Sequence, residues 1–138
     1  MKLLSQCLCF LNVFLLISIA SAGAKGLTVR DAWIRGVPPS ATTTAAFMTI
    51  YNTGTDDAVL KEVACDVAET VQIHTMEQVG EIMKMKEINE LRIPAKGQAI
   101  LAPKGYHVML IGLIRPIIEG ETIPLSLNFT GGAKVAVD

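Results

Sequence analysis

The sequence has few cysteines, no apolar run long enough to cross a bilayer, no excess of either charge and no stretch of a dozen residues with helical periodicity. Each shortage removes a class of protein. The cysteines are Cys7, Cys9 and Cys65, and the first two lie in an N-terminal segment that reads as an export leader. An exported chain would keep Cys65 alone, so an internal disulfide is excluded. Lys and Arg number 12 against 13 Asp and Glu, and the leader takes one lysine and no acid. That balance gives no electrostatic reason to expect nucleic acid or an anionic membrane as a partner. The apolar run from Leu8 to Ala20 is well short of the ~20 residues a spanning helix requires, which argues against reading the leader as a transmembrane anchor; membrane insertion of the mature chain is not expected either. Oxygen-rich loops of the calcium or magnesium type, internal repeats and low-complexity tails are also missing.

What is present begins with that leader. Lys2, the apolar run and the small residues Ala20-Ser21-Ala22 predict a signal peptide over residues 1–22, cleaved after 22 or 24. Cys7 and Cys9 precede the apolar run instead of closing it, which argues against a lipoprotein leader. Residues 25–138, about 115 in number, then form one domain, large enough to bury a core without disulfide or metal support.

Short β-branched and apolar alternations predict strands near Leu27–Arg35, Ala45–Asn52, Val59–Ala64, Glu69–Met76, Glu81–Ile88, Gln98–Leu101, His107–Leu113, Pro124–Thr130 and Lys134–Val137. Between them lie turn sequences such as "NTGTDD", "EQVG", "PAKG" and "PKG". "ACDVAETV" could add a short helical turn. Strands of this length and number stack most readily as two antiparallel sheets over one core, an all-β sandwich. The single tryptophan, Trp33, reads as core filler, and Cys65 as a small buried apolar residue.

The chemistry concentrates in three segments. "GYHVMLIGL" carries His107 and Met109 two residues apart, "VQIHTMEQ" carries His74 and Met76, and "GEIMKMKEI" carries Met83 and Met85. A spacing of two puts each pair on one face of a strand. Both histidines of the chain are among them, and an apolar core has no use for imidazole nitrogens that need partners. Thioethers are soft neutral donors, so a His and Met set favours Cu(I) over zinc, calcium or magnesium. Outside the cytoplasm such a set has a further advantage, because thioethers form no disulfides. A blue-copper electron carrier would need a thiolate beside the histidines, and Cys65 belongs to none of these pairs. No Ser-His-Asp set, carboxylate pair or phosphate loop points to catalysis, so the chain reads as a binding protein and not an enzyme. A copper storage or detoxification protein would carry the same residues, and a metal-free β-sandwich interaction module would present the methionines as adhesive surface.

At these positions the chain resembles the periplasmic copper chaperones of the PCu(A)C family. Their motif is a His, ten residues, a Met, twenty-one residues, then His-x-Met, and His74, Met85, His107 and Met109 match both gaps. The likeness extends through "DAWIR", "TAAFMTIYN", "LRIPAKGQ" and "PKGYHVMLIGL". It implies a cupredoxin-like or immunoglobulin-like Greek-key sandwich in the periplasm with an exposed Cu(I) site at one end. The four motif residues would be the ligands, with Met76 and Met83 as auxiliary donors. It also implies delivery of copper to a Sco-type protein or to the copper subunit of cytochrome oxidase. Two features depart from the family: the sequence stops at "KVAVD" where many relatives carry a His- and Met-rich tail, and Ile111 stands where relatives often have a methionine. One Cu(I) site and no Cu(II) tail are therefore expected.

Overall fold

Alternation of apolar and polar side chains folds residues 26–138, which the computed structural model describes, into ten strands. The expected signal peptide, residues 1–22, and its expected cleavage site lie outside the described residues. In chain order the strands are β1 (Leu27–Ile34), β2 (Thr43–Asn52), β3 (Ala58–Ala64), β4 (Ala68–Val79), β5 (Ile82–Ile88), β6 (Leu91–Ile93), β7 (Gly97–Leu101), β8 (His107–Leu113), β9 (Leu125–Phe129) and β10 (Lys134–Val137). All nine expected strands form, and β6 is an addition. The segment "ACDVAETV" makes a tight turn and then enters β4, without a helical turn.

The strands pair antiparallel in two sheets, as the sequence suggested. One has the order β1-β2-β8-β4-β5, with β7 also on β2, and the other the order β10-β9-β3-β6. The ten residues of β2 serve two partners on the same side: Thr43–Ala46 pair with β8, and Met48–Asn52 with β7. Between the sheets lie Ile50, Leu60, Ile93, Leu110 and Leu127, none with appreciable exposure. Each contributes about 1.5–3 kcal/mol by leaving water. Asn52 is the main buried polar side chain of this interior. Its amide donates to the carbonyls of Asp56 and Ile93, and its oxygen accepts from Gly54 N–H, so the buried group is satisfied.

Trp33 is a correction: it is 49 % exposed and lies outside the sandwich. Val29 faces inward opposite Ile50, and strict alternation would turn Trp33 inward too. Between Arg30 and Trp33, however, two residues of β1 oppose one of β2, a β-bulge in which Asp31 has φ 53°. The extra residue reverses the alternation. Trp33 therefore pairs with Phe47 on the outer face, their ring centroids 4.5 Å apart.

Candidate metal centre

Strands β8, β4 and β5 are neighbours, and their register decides which side chains meet. His74 stands directly opposite His107, Met76 opposite Met85, and Gln72 opposite Met109. Directly opposed residues share a face, with Cβ atoms about 5 Å apart. On β8 the intervening Val108 and Leu110 point into the core, so His107 and Met109 must point out of it. Both histidines and Met76, Met83, Met85 and Met109 thus occupy the outer face of the larger sheet, toward the end where β8 begins. The β4–β5 hairpin closes through Gly80 and Glu81, with Gly80 at φ 65°, as a two-residue loop with glycine first requires.

Met85, His107 and Met109 line one cavity of about 440 Å³, together with Met76, Phe47, Arg35 and Lys104. His74 sits beside that cavity, its ring centroid 5.6 Å from that of His107. Met83 is one step further along β5, opposite Gln78 and half exposed, and does not line the cavity. Of the two auxiliary methionines, Met76 is the one beside the expected ligands. Among the described residues no group of three or more His, Cys, Asp and Glu side chains comes together. The convergent set is the soft one. Cys65 is half-buried just after β3, in the other sheet, and loss of solvation pushes its thiol pKa up.

Hydrogen bonds fix which nitrogen of each ring is available. His107 is 5 % exposed, under Phe47, and its Nδ1–H donates to the carbonyl of Gly105 at 3.0 Å. Its Nε2 keeps the lone pair. His74 Nε2–H donates to Gln72 Oε1 at 2.9 Å, which leaves Nδ1 as its lone-pair nitrogen. That Nδ1 is buried without any hydrogen-bond partner. An orphaned acceptor beside a pocket of thioethers fits a metal donor, since a purely structural histidine would satisfy both nitrogens. Gln72 and Gly105, each two residues before its histidine, carry a role that the sequence reading did not assign. For Gln72 the signal was its place on the same face of β4 as His74, whereas Gly105 acts through a backbone carbonyl in the turn before β8.

The His74 pKa lies below the ordinary value of 6.5. Burial disfavours the charged ring, the neighbouring His107 adds like charge, and Glu87, opposite on β5, partly offsets both. In the unfolded chain the ring protonates first as pH falls. The contribution of His74 to stability is therefore complete above pH ~6.5 and is lost as acid carries the solution through that value to the lowered one. We expect the urea midpoint of the metal-free protein to fall between pH 7.5 and pH 5, and the fall to be smaller in His74→Gln.

Residues 27–138 match the family described as "LpqE-like: Putative lipoprotein LpqE-like". The chain belongs to the LpqE-like family. A relative from Leifsonia xyli subsp. xyli (strain CTCB07), "Putative lipoprotein Lxx21020", is 33 % identical over 115 residues, 83 % of this chain and 68 % of the relative. The LpqE-like fold is also that of solved copper proteins. The copper-bound PCuAC domain from PmoF2 superposes with a TM-score of 0.69 over 82 % of this chain and 89 % of that one, at 19 % identity. Two solution structures of DR1885 from Deinococcus radiodurans are 38 % identical to it. The apo form has a TM-score of 0.62 over 81 % of this chain and 75 % of that one. The form named CuI-DR1885 has a TM-score of 0.63 over 77 % and 71 %. The resemblance to the PCu(A)C proteins and the cupredoxin-like sandwich it implied are both borne out.

Proposed function

We propose that this LpqE-like protein is an extracytoplasmic copper carrier that binds one Cu(I) through His74, Met85, His107 and Met109. The observation that carries the reading is the shared outer face: two imidazoles with assigned lone pairs and a cluster of thioethers, with no thiolate among them. Rigid strands hold these donors in place, so little ordering entropy opposes binding. The site also opens to solvent at Met85, which is 59 % exposed. A carrier needs both properties, because an acceptor's thiolate must reach the ion and displace neutral ligands one at a time. The 38 % identity to a protein solved with Cu(I) supports the same reading.

We further propose that the cargo goes to cytochrome oxidase assembly, through a Sco-type protein or the oxidase copper subunit, and that the protein works in the periplasm after export. The relatives' names, which describe lipoproteins, support a cell-envelope location. Anaerobic titration with Cu(I) should load one ion per chain without an intense blue band. No stoichiometric uptake would refute the carrier. Mixing the loaded protein with a purified acceptor should then move the ion, and retention of copper would favour storage over delivery.

A further inference from the structure

The cavity at the donor cluster is far larger than one copper ion needs. Its volume of about 440 Å³ falls within the ~300–1,000 Å³ range of small-molecule sites. Its charged lining residues are Arg35 and Lys104, and no carboxylate lines it. Ion pairs among the described residues are Lys61–Glu90, Lys86–Glu77, Arg92–Asp57 and Arg115–Glu121. Neither cavity cation has a carboxylate partner.

Both cations are held beside the donors by backbone contacts. Arg35 N–H donates to the carbonyl of Ala45 at 2.9 Å, and Thr44 Oγ1 donates to the carbonyl of Arg35 at 2.7 Å. The guanidinium lies 5.2 Å from the centroid of Phe47, whose ring also packs on His107. Lys104 has φ 71° in the turn closed by Gly105 N–H on the carbonyl of Ala102. That position ordinarily goes to glycine. The comparable turn at Lys96, with φ 57°, uses its ammonium structurally, as a donor to the carbonyl of Thr53 at 2.8 Å. Lys104 makes no such bond among the described residues. The next residue, Gly105, supplies the carbonyl that orients His107.

We propose that copper enters this cavity as an anionic Cu(I) complex of a small soft ligand, held by Arg35 and Lys104 while the ion is handed over. The inference rests on the copper-carrier reading. The handover is ligand exchange: copper–thiolate or copper–halide bonds break as copper–thioether and copper–imidazole bonds form. Copper stays Cu(I), no electron moves, and the released anion leaves with its own charge or takes a proton from water.

The test compares stopped-flow uptake rates from three donors: the Cu(I)–glutathione complex, the anionic Cu(I)–chloride complex and the cationic Cu(I)–acetonitrile complex. In Arg35→Gln/Lys104→Gln the ratio of anionic to cationic uptake rates should fall about tenfold, and Arg35→Lys/Lys104→Arg should restore it. A fall with both anionic donors assigns the pair to net charge, and a fall with glutathione alone assigns it to the ligand's carboxylates. An unchanged ratio with normal copper loading overturns this inference and leaves the carrier standing. No uptake by the wild-type protein from any donor overturns both.

Discussion

A Met85→Leu/Met109→Leu double variant will bind Cu(I) at least about 100-fold more weakly than the wild-type protein while keeping its fold. The factor is a lower bound set by analogy, because losing even a partner of a ligand commonly costs about 10–100-fold in metal affinity. Leucine replaces methionine at similar volume, so the substitution removes the sulfur lone pairs and leaves the apolar contact. Such swaps cost less than about 1.5 kcal/mol even in cores. Here neither side chain is in the core: Met85 is 59 % exposed and Met109 half-buried on the outer face. Met76 faces Met85 across the β4–β5 pair and lines the same cavity. It can substitute for Met85, so the Met85→Leu single variant should lose less than Met109→Leu, and adding Met76→Leu should remove the difference. Competition against a chromophoric Cu(I) chelator measures the affinities, and urea unfolding checks the fold. Wild-type affinity in the double variant would sink the ligand assignment.

The proposed donor set was legible because two local regularities coincide. A spacing of two fixes the face of each pair, and the antiparallel arrangement of β8, β4 and β5 brings the three pairs side by side. The strands were legible for the same reason, since Val, Ile and Leu alternate along most of them. Where alternation is short or broken, the sequence was silent or misleading. Leu91–Ile93 is too brief to show a period, and it pairs only with Ala58–Leu60 of β3. Strand β4 was expected to end at Met76 in a turn at "EQVG", yet Glu77, Gln78 and Val79 stay paired to Lys84, Met83 and Ile82. The cross-strand partners, and an ion pair of Glu77 with Lys86 at 3.7 Å, carry the strand past weak local signals. Trp33 was misread because the bulge at Asp31 inverts a parity that the sequence alone leaves intact. Arg35 and Lys104 reach the donors from segments about 70 residues apart, a proximity that follows only from the pairing of β2 with β8.

Leu110→Ala should give the opposite result to Met109→Leu, although the two residues are adjacent. Leu110 has no exposed surface and packs between the sheets, next to Thr44 on β2 and Val71 on β4. Truncating it removes three carbons from a filled interior, which costs about 2–5 kcal/mol through lost burial and the cavity left behind. Its side chain points away from the proposed donors His107 and Met109. The folded fraction of Leu110→Ala should therefore load one Cu(I) with near wild-type affinity, and saturating copper should raise its unfolding free energy by the same increment as in the wild type. Calorimetry with and without Cu(I) measures both quantities. Because side chains alternate with period two, a slip of one residue in the β8 register would exchange the two outcomes, making Met109→Leu the destabilising change and Leu110→Ala the one that loses copper. The pair of variants thus tests the face assignment from both sides of one strand, and no copper site survives on the outer face if the phenotypes come out reversed.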